Sequence, residues 1–267
     1  MVIDKKKIFS VFKHFLSATV DIFFPRLCLF CERKIENGYL CKTCLEKIKV
    51  LTPPLCRLCS KELRNSKGNI CSSCSKRVYF YDQLISVLLY REPIVTLIHL
   101  FKYKHYDFLN EFFSSLMVHY LLTIGFDFTG YDYITSVPNH PSKQREREYN
   151  QSSLLAESLS QTFHVPFKNL LICKKNKSSQ TELTSEERFK NVKDAFYINP
   201  VFSHQQLSFK SRLKGKISKE IRGKNLKGKN VILVDDIFTT GATVLECSRV
   251  LKNAGVNKIT VLTLARA

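Results

Sequence analysis

From Tyr81 onward, apolar runs of strand length alternate with stretches whose apolar residues recur every three or four positions. YDQLISVLLY (Tyr81 to Tyr90) reads as a first strand. IVTLIHLFKYKHY follows with helical spacing and a basic, aromatic tail. FLNEFFSSLMVHYLLTIGF is apolar on every side and predicts a buried helix. YDYITSVP is a strand leaving its sheet at Pro138, SLLAESLSQTF a helix, KNLLICKK a short strand and DAFYIN another. The apolar run VILV, followed by two acids, predicts a strand buried on both faces, TVLECSRVLKNAG a helix, and VNKITVLTLAR closes the sheet. Strands alternating with helices make an α/β domain with a mostly parallel sheet. Ligands of such sheets bind beyond the carboxyl ends of the strands, where Pro138 and Asp235 both fall.

The beginning of the chain follows other rules. Ile8, Phe12, Phe15, Leu16 and Phe23 sit at helical spacing, so residues 1–27 are expected to form an amphipathic helix resting on a neighbouring module. Lys13, His14 and Asp21 interrupt the apolar stretch, and no convincing small-residue cleavage site follows. No uninterrupted apolar run is long enough to span a bilayer, and a cytoplasmic location is expected.

Eight of the ten cysteines form four C-x-x-C pairs: Cys28/Cys31, Cys41/Cys44, Cys56/Cys59 and Cys71/Cys74. Two such pairs supply four thiolates to one tetrahedral zinc with no open position. Sequential pairing is the simplest, with one zinc on Cys28, Cys31, Cys41 and Cys44 and another on Cys56, Cys59, Cys71 and Cys74; the spacing leaves an interleaved arrangement open. A disulfide framework lacks a secretion signal to support it, and a thioredoxin-like redox pair needs one C-x-x-C after a strand, not four in tandem. Residues 28–76 are thus expected to be a small double zinc ribbon ahead of an α/β domain at 77–267. Cys173 and Cys247 stand alone and read as buried small apolar residues.

The densest chemistry lies in VILVDDIFTTGAT, Val231 to Thr243. Asp235 and Asp236 follow the strand, and Thr239, Thr240, Gly241, Ala242 and Thr243 form a small-residue turn into a helix. Backbone N–H groups and hydroxyls gathered at a helix N-terminus suit an anion. A sugar phosphate fits, with its diol on the acids and its phosphate in the turn.

This run resembles the PRPP-binding motif of type I phosphoribosyltransferases. With the cysteine pairs, nearly the whole chain resembles the ComF family, its ComFC-type competence proteins in particular. The resemblance implies a type I phosphoribosyltransferase-like parallel sheet flanked by helices and preceded by the zinc ribbons. It implies that PRPP binds with Mg²⁺, that Asp235 and Asp236 hold the ribose hydroxyls, and that the turn takes the 5′-phosphate. Lys102 and Tyr103 match the Lys-Tyr pair that closes the first helix in relatives. In NHPSKQREREYNQ, Arg145, Arg147, Tyr149, Asn150 and Gln151 match the loop that holds pyrophosphate, while Glu148 replaces a glycine. KKNKSSQTELTSEERFKNVKDAF resembles a flexible hood, with Gln180, Thr181, Leu183, Glu187, Arg188, Asn191 and Phe196 in place.

Charge adds a second theme. Lys and Arg number 42 against 23 Asp and Glu, a net charge of +19. This attracts polyanions, although a lysine-rich genome would inflate basic residues everywhere. Between residues 200 and 230, where relatives have a short connection, Lys210, Arg212, Lys214, Lys216, Lys219, Arg222, Lys224, Lys227 and Lys229 face a single acid, Glu220. Such a run is either a solvated loop or a phosphate-backbone contact surface. Two function classes follow: a phosphoribosyltransferase of unidentified acceptor, or a non-catalytic protein that senses PRPP or binds single-stranded DNA. The resemblance implies action in DNA uptake during natural transformation, alongside other competence proteins.

Overall fold

The computed structural model describes residues 25–63, 68–139, 148–174, 185–202 and 226–267. The expected N-terminal helix and most of the basic run lie outside them. The described residues up to Lys49, with Arg91–Ile98, form one compact unit; Val50–Tyr90 and His99–Ala267 form another. The strands are β1 (Gln83–Leu89), β2 (Tyr133–Ser136), β3 (Leu171–Cys173), β4 (Phe196–Ile198), β5 (Asn230–Phe238) and β6 (Lys258–Arg266). The helices are α1 (Lys42–Leu45), α2 (Ile94–Tyr103), α3 (Leu109–Thr123), α4 (Gln151–Phe163), α5 (Ser185–Val192) and α6 (Ala242–Asn253).

Four strands make a parallel sheet in the order β1-β6-β5-β2. The last strand in sequence therefore lies inside the sheet, between β1 and β5. Seven consecutive residues of β6 are buried, as a strand covered on both faces requires. β5 has the same length as β6 and pairs with it from Asn230 to Phe238. It thus runs two residues beyond the acid pair, where the apolar pattern alone placed the strand's end.

β3 and β4 stay outside this sheet and pair antiparallel with each other. Instead, the chain around Pro166 to Lys168 hydrogen-bonds to Ile134 at the β2 edge. α3 is buried on one side only. Leu109, Phe113, Met117 and Leu121 recur every fourth residue on its buried face, while Leu122 is exposed. The expectation of burial all round is corrected: a helix with one covering layer hides one stripe, whatever the composition of the rest.

The second cysteine quartet is built into the sheet's unit. β1 is an edge strand, and an open edge needs partners for its N–H and C=O groups. Leu84 N–H donates to the Arg57 carbonyl (2.8 Å), and Leu51 N–H donates to the Val87 carbonyl (2.9 Å). The Ser60 hydroxyl donates to the Leu84 carbonyl (2.9 Å) and accepts from Ser86 N–H (3.0 Å). Arg266, at the end of β6, donates through Nε to the Cys59 carbonyl at 2.7 Å. Cys56, Cys59 and Cys74 are buried in one hydrophobic cluster with Val231, Leu233 and Val244.

Candidate functional site: two cysteine quartets and an acid pair before a glycine turn

Each quartet gathers four sulfur atoms within 4.8 Å of one another, Cys28 with Cys31, Cys41 and Cys44, and Cys56 with Cys59, Cys71 and Cys74. The pairing is sequential. Four thiolates around one zinc at about 2.3 Å stand about 3.8 Å apart; Cys31 and Cys41 sulfurs are 3.6 Å apart, and Cys59 and Cys71 sulfurs 3.8 Å. This donor set and spacing fit structural zinc, with no position left for a substrate. At Cys28, burial works against the thiolate but the N–H groups of Cys31, Cys41 and Phe30 outweigh it, bringing the thiol down to about 6. At Cys44 burial prevails and the thiol is pushed up to about 12. A cation at the centre favours the thiolate at all four positions. Among the described residues, no other group of three or more His, Cys, Asp or Glu lies close enough to share one ion. Cys173 and Cys247 are buried, as the apolar reading of both predicts.

β5 delivers Asp235 and Asp236 to a partly buried position near the carboxyl edge of the sheet. Asp235 Oδ1 accepts hydrogen bonds from the Ser152 hydroxyl and from Asp236 N–H, each at 3.0 Å. Asp236 Oδ2 lies 2.8 Å from Lys102 Nζ, with both side chains little exposed (13% and 16%). Burial raises the Asp235 carboxyl to about 7, helped by the charge of Asp236 and opposed by Lys102, Ser152 and the Asp236 N–H.

Lys102, which local pattern places only at a helix end, is brought to the acid pair by the fold. It stands in the last turn of α2, whose end is held from α4. The Tyr149 hydroxyl (2.6 Å) and the Gln151 amide (3.2 Å) both donate to the Phe101 carbonyl. Asn150 is the N-cap of α4: its Oδ1 accepts from Ser152 N–H (3.1 Å) and its Nδ2 donates to the Val137 carbonyl (3.0 Å). Tyr149, Asn150 and Gln151 thus act as positioning residues. They pin the ends of α2 and β2 so that Lys102 reaches Asp236 and Ser152 reaches Asp235.

Beside them Glu148 has φ of +63°, the left-handed region that glycine enters freely, and its carboxylate sits 3.3 Å from His105 Nδ1. The backbone shape natural to glycine is therefore adopted with a side chain present, at about 1 kcal/mol of strain. Arg145 and Arg147 lie outside the described residues, as do Gln180, Thr181 and Leu183. Glu187 lies on α5, and Phe196 is buried on β4.

After Phe238, Thr239 is exposed, Thr240 and Thr243 are partly buried, and Ala242 is buried. Gly241 is the N-cap of α6 at φ +78°. A Cβ there would stand 2.6 and 2.8 Å from two ring atoms of Phe238. The position therefore requires glycine both for its φ and for the ring beside it. We expect Gly241→Ala to lower stability by about 2 kcal/mol, read from denaturant midpoints. An unchanged midpoint would mean that the turn relaxes around the methyl group.

The chain just ahead of β4 is tied to α6 through charge. Arg249 grips Glu246 with two bonds of 2.7 and 2.8 Å and reaches Asp194 at 3.1 Å, while Asp194 N–H donates to Glu246 at 2.9 Å. In the basic stretch, Lys229 is engaged with Asp132 at 2.7 Å, so its charge is used within the fold.

The comparisons agree with this geometry. Residues 19–82 match the double zinc ribbon domain family, and residues 150–267 match the phosphoribosyl transferase domain family. Competence protein F of Haemophilus influenzae is 29% identical over 253 residues, covering 92% of this chain and 99% of that protein. DNA utilization protein YhgH of Escherichia coli is 27% identical over 192 residues, 70% of this chain and 73% of its own length. Competence protein ComFC of Bacillus subtilis is 27% identical over 133 residues, 48% of this chain and 43% of that protein.

Proposed function

The chain belongs to the ComF family, and from that premise we propose that it binds PRPP with Mg²⁺ at the β5 acids and the turn into α6, and serves DNA uptake in natural transformation. One observation carries the PRPP reading. Two carboxylates and a helix N-terminus opened by Gly241 occur on one continuous strand, turn and helix, and Lys102 reaches the second carboxylate from α2. Asp235 and Asp236 would accept the 2′- and 3′-hydroxyls, and the N–H groups and hydroxyls of Thr239 to Thr243 would take the 5′-phosphate. Mg²⁺, a hard cation with oxygen ligands, would neutralise charge on the pyrophosphate as it leaves. The carboxylates would stabilise positive charge developing on the sugar carbon. Lys102 supports this role, since its ammonium lies 2.8 Å from Asp236 Oδ2 and fixes where that carboxylate points.

Purine-salvage members of the fold carry an acid at the position of Thr239, which serves the base. Thr239 supplies no such group, and this favours a second reading in which the protein senses PRPP without transferring it. The DNA role rests on the relatives named for competence and DNA utilization and on the basic run before β5. No helix among the described residues is long and apolar enough to cross a membrane.

Calorimetry with PRPP and Mg²⁺ tests the first part: saturable binding at one site is expected, and an absence of heat rejects it. Electrophoretic shifts with single-stranded DNA test the second. Affinity should fall linearly with salt on logarithmic axes, with a slope of about −0.7 per phosphate contacted. Neutralising Lys210, Arg212, Lys214 and Lys216 should weaken DNA binding and leave the PRPP isotherm unchanged. A salt-independent shift would exclude the electrostatic account.

A further inference from the structure

The segment that leaves the second quartet faces the turn into α6. A cavity of about 340 Å³ opens there, lined by Thr240 and Gly241 of the turn, by Phe189 of α5, and by Arg77, Val78 and Tyr79, the segment that leaves Cys74. That segment takes its shape from the metal site. Tyr79 donates its hydroxyl to Cys74 Sγ at 3.0 Å, and Arg77 N–H donates to the Cys74 carbonyl at 3.2 Å. The Tyr79 ring stands edge-on to Tyr81 at 5.3 Å, and the Tyr81 hydroxyl donates to the Leu58 carbonyl at 2.8 Å. Leu58 lies between Cys56 and Cys59, so both ends of this aromatic pair are anchored on the quartet. Arg77 is exposed and enters no ion pair among the described residues.

We infer that Arg77–Tyr79 is a wall of the ligand site, that Arg77 is an anion-binding residue of it, and that the second quartet, not the first, governs affinity for a phosphorylated sugar. The inference rests on the PRPP reading of the turn and names what that reading leaves without a source. A phosphomonoester carries nearly two negative charges, and the turn from Thr239 to Thr243 offers neutral donors only. A guanidinium on the facing wall supplies the charge and paired donors suited to phosphate oxygens. Tyr79 and Phe189 supply aromatic lining beside that contact. Every residue lining this cavity belongs to the compact unit that holds the second quartet.

The test uses the full chain, with PRPP and Mg²⁺ as the probe in calorimetry and zinc measured in parallel. Arg77→Gln should weaken PRPP binding roughly tenfold or more, with two zinc ions retained and the melting temperature unchanged; Arg77→Lys should recover part of the loss. Cys71→Ser should lose one zinc equivalent together with PRPP binding, whereas Cys31→Ser should lose one equivalent and keep the wild-type affinity. Cys71→Ser may be replaced by Arg77→Gln as the deciding variant if it does not fold. Wild-type binding with Arg77→Gln within twofold of it overturns this inference alone. Loss of PRPP affinity in Cys31→Ser equal to that in Cys71→Ser overturns the division of labour. A wild-type protein that does not bind PRPP overturns the underlying reading and this inference with it.

Discussion

Replacing Asp235 and Asp236 together by asparagine is expected to reduce PRPP affinity by about a hundredfold or more, because two charged acceptors for the ribose hydroxyls and their metal are lost at once. DNA binding should be unaffected, since neither acid belongs to the basic run. The single variants differ in a way that only their environments explain. Asp236 pairs with Lys102 at 2.8 Å, so Asp236→Asn leaves a little-exposed lysine without its counter-charge. Asp235 is raised to about 7 by burial and by its neighbour's charge. Its folded value lies above the unfolded one, so the ionised form is disfavoured in the folded protein. Stability from this group therefore increases as pH falls from above 7 toward 4, and declines as pH rises through 7. Ligand binding should run the other way, strengthening across the same interval as the carboxylate forms. Thermal melts at pH 6 and pH 8, with and without PRPP, separate the two trends, and Asp235→Asn should flatten both. Binding by the double variant within threefold of wild type would remove the acids from the site.

Loss of zinc is expected to have unequal consequences at the two quartets. Structural zinc binds with an apparent free energy on the order of 10 kcal/mol, comparable to the whole stability of a typical domain. Cys56 is fully buried in the same cluster as Val231 and Leu233, and its neighbour Ser60 satisfies the outer edge of β1. Cys56→Ala should therefore abolish the cooperative unfolding of the sheet's unit. Cys28 and Cys44 are also buried, but within the other unit. Cys28→Ala should remove one zinc equivalent and a local transition while the main one persists. Chelator titration followed by circular dichroism should show the same order, with one zinc leaving before the sheet's signal is lost. A single concerted transition for both quartets would contradict this partition.

Much of the site was legible from neighbouring residues. The quartets are pairs with short gaps, so chelation is nearly a local property, although the choice between sequential and interleaved pairing waited for the sulfur positions. The motif from Val231 to Thr243 was readable because a strand, two acids, a turn and a helix start follow one another without interruption. Even there the apolar pattern ends the strand too early, because Ile237 and Phe238 are held in β5 by pairing with Ala265 and Arg266. No property of the motif encodes the length of its partner strand.

What the chain determined by itself was therefore the chemistry carried by contiguous residues: the metal-binding knuckles, the alternation of strand and helix, and the carboxylates ahead of a small-residue turn. Periodicity and spacing act over a few residues, and these features need no more. Tertiary structure alone decided that β6 lies inside the sheet, that Lys102 meets Asp236 across 134 positions of sequence, and that Tyr149 and Gln151 hold α2 in place for it. It also placed the segment after Cys74 against the turn at Gly241. Each of these depends on which surfaces become neighbours when the apolar faces are buried, and that outcome belongs to the packing of the whole chain.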